Sequence, residues 1–166
     1  MGKASFWSDE VPVTGPRREI INETMVFGRI PYPVTCLSVG NPHLVILMDE
    51  ISKELVCRIG KYSENARQFP EKINTQIMKV LDRTHIQTEV YERGAGYTLA
   101  SGSGCCAAAA AAYRLGPYGS ENDRPDVGRN SGTGNPGGWK CSDDRRCGIC
   151  GKHKAGKSFY RAASGA

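Results

Sequence analysis

From Glu92 to Gly104 the chain reads Glu-Arg-Gly-Ala-Gly-Tyr-Thr-Leu-Ala-Ser-Gly-Ser-Gly and runs straight into Cys105, Cys106 and six alanines. A glycine-rich loop therefore feeds the N-terminus of a helix made of small residues. The N–H groups of Gly102, Ser103 and Gly104 have no carbonyl one turn back to bond, and the helix dipole adds partial positive charge where they point. Such a place holds a carboxylate or a phosphate; read alone, it equally fits an ordinary helix start that only needs a cap. Other chemistry-bearing residues lie further on, where Cys141, Cys147, Cys150 and His153 form C-x5-C-x2-C-x2-H among basic residues. These are zinc ligands by type, and zinc beside positive charge would suit nucleic acid. The spacing lacks the usual separation between two ligand pairs, so the cluster falls short of a structural zinc motif and argues against a nucleic-acid partner.

Three further blocks stand upstream of the loop. They are Val34-Thr35-Cys36-Leu37-Ser38-Val39-Gly40-Asn41-Pro42-His43, then Lys72-Ile73-Asn74 before an alternating stretch, then Val80-Leu81-Asp82-Arg83 with Tyr91-Glu92-Arg93-Gly94-Ala95-Gly96. In order and spacing, these blocks and the glycine-rich loop resemble the second half of the diaminopimelate epimerase family, over residues 1 to about 116. The resemblance implies an isomerase that converts LL- to meso-diaminopimelate in lysine and cell-wall biosynthesis, in the cytoplasm, on a small amino-acid substrate. It implies no cofactor, neither pyridoxal phosphate nor metal. Two cysteines on opposite faces of the substrate's α-carbon act as base and acid in that family. A free thiol titrates at about 8.5, and a helix N-terminus can lower that value.

Carried over residue by residue, the resemblance puts Ser101 where the second-half motif has its catalytic cysteine. A hydroxyl is a far weaker acid than a thiol and needs a strong neighbouring base. Cys105, one turn further along the helix, cannot simply replace it. Glu92 matches a residue that assists one catalytic base and contacts substrate, and Arg93 matches a second contact; read alone, the two would form a surface ion pair of little worth. Asn41 and Asn74 match residues that bind the amino and carboxylate groups at the substrate's distal end, against the plain alternative of a turn residue and a strand-edge amide. Gly102 and Ser103 match the pocket for the reacting carboxylate. His43 matches the partner of the first-half cysteine; standing alone it reads as a satisfied core histidine. Met1 falls where a second half begins, so the expectation is one side of an active site. The other side would come from a separate first-half chain or from self-association, and stand-alone epimerisation is expected to be impaired. The competing reading is a non-catalytic domain that binds an amino-acid carboxylate.

These residues need elements to position them. Val34 to Val39 reads as a strand, Gly40 to Pro42 as a turn, and His43 to Met48 as a nearly all-apolar strand that should be covered on both faces. Ile51, Leu55, Val56 and Ile59 then fall at helical spacing, with Asp49 or Ser52 as cap and Gly60 as the stop. Ile73, Thr75, Ile77 and Lys79 share one face of the next strand, and Ile86, Thr88 and Val90 one face of the strand after it, joined through Asp82-Arg83. The last element is a helix from about Gly102 to Leu115, small enough along Ala107 to Ala112 for strands to approach closely. Mixed or antiparallel strands around a buried small-residue helix make an α+β class, the arrangement that the resemblance also implies.

Composition divides the chain of 166 residues near Gly116. Residues 117–166 contain no Leu or Met and one each of Val, Ile and Phe, while holding 10 of the 20 glycines. Such a segment buries too little apolar surface to offset its ordering entropy, so disorder or poor packing is expected. It also carries nine Lys or Arg against five acids, so most of the net charge of +5 sits there and says nothing about the core's partners. No stretch approaches the roughly 18 apolar residues of a membrane span, and the N-terminus lacks a signal peptide's apolar centre, so a cytosolic location is the default. The odd count of seven cysteines favours reduced thiols. Read one nucleotide out of frame, the codons of Gly128 to Pro136 can spell Gly-Gly-Ile-Leu-Glu-Leu-Glu-Ile. In the same frame, those of Asp143 to Lys154 can spell Met-Thr-Gly-Gly-Val-Gly-Phe-Val-Gly-Asn-Ile-Lys. Both resemble the family's ending, so the tail is expected to be a frameshift product.

Overall fold

The computed structural model describes residues 4–82 and 85–116, together with the backbone of 140–141 and 146–148. The expected disorder, the shifted frame and the Cys/His cluster of the tail thus lie outside the described residues, apart from those two short segments. In chain order the elements are β1 (Glu23–Phe27), β2 (Ile30–Ser38), β3 (Pro42–Leu47), α1 (Lys53–Ser63), β4 (Asn74–Val80), β5 (His85–Glu92), β6 (Gly96–Thr98), α2 (Gly102–Leu115), β7 (Lys140–Cys141) and β8 (Arg146–Gly148). The strands join in the order β1-β2-β3-β4-β5-β8-β7, with β6 also on β5. All pairs are antiparallel except β3 with β4, where α1 makes the crossover that parallel neighbours require. The fold is α+β with a mixed sheet, as the alternating and helical patterns require.

Each face of the sheet is closed by one helix, and the residues divide by strand alternation. Leu44, Ile46, Ile73 and Ile77 face Val56 and Ile59 of α1 in one core. Val45, Met78 and Ile86 point the other way, onto Ala107, Ala108, Ala109, Ala111 and Ala112 of α2. This accounts for the nearly all-apolar β3, which is buried from Pro42 to Ile46. The alanine run gives α2 high intrinsic helicity and lets the sheet approach its backbone. Gly116 ends the helix at φ 61°, a left-handed cap open to glycine at little cost.

Several boundaries differ from the sequence reading. Gly60 does not stop α1, which continues to Ser63. Gly60 is there for space: a Cβ would fall inside the Tyr91 ring of β5. Of the two candidate caps, Ser52 serves, its Oγ accepting from Leu55 N–H at 3.1 Å. Pro42 belongs to β3 rather than to the turn, and β2 begins four residues earlier than Val34, at Ile30. Elements absent from the sequence reading are β1, β6, the N-terminal segment, and β7 and β8, which extend the sheet from β5 where disorder was expected. The N-terminal segment is held by isolated bridges Ser5 to Ser38 and Trp7 to Glu19. The β1–β2 hairpin turns through Gly28 and Arg29 at φ 58° and 71°. Two positive φ angles define the turn whose twist matches antiparallel strands.

Candidate functional site

Topology gathers the candidate residues at one end of the sheet. Because β3 and β4 are parallel, His43 and Asn74 start their strands side by side, as direct register partners. Antiparallel β5 ends at the same edge with Glu92, and α2 begins there at Gly102. The turn after β2 brings Asn41 to that edge as well. Residues scattered over more than sixty positions thus meet through hydrogen bonds, the longest between Asn41 Nδ2 and Ser103 Oγ at 3.5 Å.

His43 lies at the centre. It is fully buried, with Nδ1 3.2 Å from Gln76 Oε1 and Nε2 2.9 Å from Asn41 Oδ1. Burial, helped by the charge of Arg93, outweighs the Gln76 hydrogen bond and pushes the imidazole down to a pKa of about 4. The ring is therefore neutral near pH 7. Asn74, almost fully buried, donates from Nδ2 to the Pro42 carbonyl at 2.9 Å and accepts on Oδ1 from Arg93 N–H at 3.1 Å. Its amide staples the two edges of the site to each other.

The loop that carries Glu92 and Arg93 is fixed from below. Gly94 N–H donates to Glu64 Oε1 at 2.7 Å, and Lys72 Nζ pairs with the same oxygen at 3.3 Å. The Arg93 guanidinium donates to the Glu71 carbonyl at 2.9 Å, not to Glu92. The surface ion pair between neighbours is thus not formed. Glu92 is half-buried at the end of β5, and its carboxylate makes no hydrogen bond to Ser101.

Ser101 is buried and extended (φ −144°, ψ 111°), and caps α2 by accepting from Gly104 N–H at 3.2 Å. One cap satisfies one of the free donors. Gly102 is exposed and nothing stands within 4 Å of where its Cβ would be, so the approach to the helix N-terminus is open. Thiols do not take over the chemistry at this end. Cys105 is buried one turn on, its N–H bonded to the Ser101 carbonyl at 2.9 Å. Burial raises the titration of Cys106, while Cys36, fully buried, is pushed up further.

Asn41, His43, Asn74, Arg93, Ser101, Gly102 and Ser103 are therefore assembled at one edge, with Glu92 beside them but unbonded. Two residues escaped the sequence reading. Glu64 gave no signal beyond a Lys eight residues later. Gln76 sits between Thr75 and Ile77 on the other face of β4, shared with Met78 and covered by α2.

The family model for diaminopimelate epimerase matches residues 35–134. Among curated relatives, diaminopimelate epimerase 2 of Nostoc sp. is 50% identical over 116 residues, which are 70% of this chain and 41% of the relative. Diaminopimelate epimerase of Neisseria meningitidis serogroup A is 36% identical over 153 residues, 87% of this chain and 51% of the relative. That of Bacillus pumilus is 36% identical over 124 residues, 74% and 44% respectively. The chain spans about half the length of the curated relatives it matches.

Proposed function

From a chain that belongs to the diaminopimelate epimerase family, we infer that the edge of the sheet forms one side of a cofactor-independent proton-transfer site for a free amino acid, diaminopimelate by family. What carries this reading is the meeting of Asn41, His43, Asn74 and Arg93 with the open N-terminus of α2. The reacting carboxylate sits against the N–H groups of Gly102 and Ser103, where backbone donors and the helix dipole stabilise it. The same contacts favour the enediolate-like charge that develops as the α-proton leaves. Asn41, Asn74 and Arg93 supply donors and acceptors for the substrate's distal amino and carboxylate groups.

Inversion at carbon needs one group to take the proton and another to return it from the opposite face. Ser101 occupies one such position; the opposing group is not among the residues gathered at this edge. Ser101 also favours a second reading, a carboxylate-binding domain without turnover. Its Oγ is engaged as a cap, and among the described residues no carboxylate bonds it.

Exchange of the substrate α-proton in deuterium oxide separates the two. The isolated chain is expected to exchange diaminopimelate below detection, and Ser101→Cys to raise the rate. Turnover by the wild type that persists in Ser101→Ala would remove Ser101 from the mechanism. No gain in Ser101→Cys, with ligand binding intact, would favour the binding domain.

A further inference from the structure

Gln76 is fully buried between the sheet and α2, and among the described residues its Nε2 is the buried side-chain nitrogen without a hydrogen-bond partner. A buried N–H left unpaired costs about 1–3 kcal/mol. The neighbouring imidazole is over-supplied with acceptors: Gln76 Oε1 faces Nδ1 and Asn41 Oδ1 faces Nε2. A neutral ring carries one N–H, so one of these carboxamides must be turned. Turning Asn41 corrects the ring but leaves Gln76 Nε2 alone. Turning Gln76 also corrects the ring, because Nε2 then donates to Nδ1, and it leaves Oε1 in the place Nε2 held, where an under-satisfied carbonyl oxygen is tolerated better than an orphaned N–H.

That place adjoins Ser101. A Cβ built on Gly104 would lie 3.0 Å from Ser101 Oγ and 3.3 Å from the Gln76 terminal nitrogen, so the two groups border one small gap. Ser101 Oγ accepts from Gly104 N–H, and its own hydrogen has no acceptor among the described residues.

We propose that Gln76 is a positioning residue that holds His43 with its proton on Nε2. The hydrogen bonds then run in one direction: Gln76 Nε2–H to His43 Nδ1, His43 Nε2–H to Asn41 Oδ1, and Asn41 Nδ2–H toward Ser103 Oγ. In this state His43 orients Asn41 as a donor, and its basic lone pair points inward at Gln76. The role of this chain in handling substrate rests on the site reading above, but the tautomer itself does not.

Nitrogen-15 spectra of the full chain labelled at histidine, with His43 assigned by its loss in His43→Asn, read the tautomer directly. The wild type is expected to carry the ring proton on Nε2. In Gln76→Glu, a carboxylate that can only accept should move it to Nδ1, and in Gln76→Met the preference should fade to a mixture. A wild-type ring protonated on Nδ1 overturns the proposal, and needs no variant to fold. A tautomer unchanged in folded Gln76→Glu or Gln76→Met overturns it too, since Gln76 would then be packing only. Loss of diaminopimelate binding with the Nε2–H ring intact would sink the site reading instead.

Discussion

At the scale of single residues, the site is built from amides and one neutral imidazole, and its charge state follows from burial. His43 is held at a pKa of about 4, below its ordinary 6.5. A folded-state pKa below the unfolded one means the unfolded chain binds the proton first as pH falls. Stability is thus complete above about 6.5 and drains away as pH drops toward 4, by about 3 kcal/mol in all. Urea midpoints measured between pH 7.5 and 4.5 should show this slope in the wild type and lose most of it in His43→Gln. An equal slope in both would place the acid sensitivity elsewhere. Ser101 and Gly104 give a second expectation. Ser101→Ala removes a cap and should cost about 1 kcal/mol. Gly104→Ala should cost at least as much, because its methyl enters the gap that Ser101 Oγ borders at 3.0 Å. A neutral Gly104→Ala would show that the gap is loose.

At the scale of elements, β4, β5 and α2 could be read from sequence because their patterns report burial directly. The Ile73, Thr75, Ile77 alternation faces α1, and the six consecutive alanines of α2 suit close packing against a sheet. The N-terminal segment could not be read this way. Val11, Val13 and Ile20 are buried in it without helical or strand period, held by two isolated bridges. Gln76 was hidden by the same logic that revealed its neighbours: a strand covered on both faces places a polar residue inside wherever the second helix begins. Gly60 was misread as a stop because its reason is tertiary. Replacing it by Ala should gain about 1 kcal/mol of helix propensity yet destabilise the fold, because expelling the Tyr91 ring costs more. Thermal unfolding of Gly60→Ala reads the balance, and a raised Tm would mean that Tyr91 yields freely.

At the scale of the whole molecule, the sheet edge and the N-terminus of α2 bring the candidate residues together, with α1 as the crossover that makes β3 and β4 parallel. The relatives are about twice as long, and the family match reaches 134, beyond the change of composition near Gly116. We propose that the gene, read one nucleotide out of frame after about codon 116, restores a family-like ending, although the chain as it stands adds β8 and β7 to the edge of β5. Stop codons in that frame would remove the idea. Among the described residues no helix is long and apolar enough to cross a membrane. The proposed carboxylate pocket depends on backbone N–H groups, so it should survive the exchange of thiol for hydroxyl at Ser101. An open site of this kind binds with an affinity on the order of millimolar, or about 4 kcal/mol.

The most direct test follows the amides of Gly102, Ser103 and Gly104 and the side-chain amides of Asn41 and Asn74 while diaminopimelate is titrated into the full chain. They should shift together along one saturating curve, and Gly102→Val should abolish the response at the helix N-terminus. Signals at Gly102 to Gly104 that stay still while others move would contradict the account, because the carboxylate would then bind somewhere else.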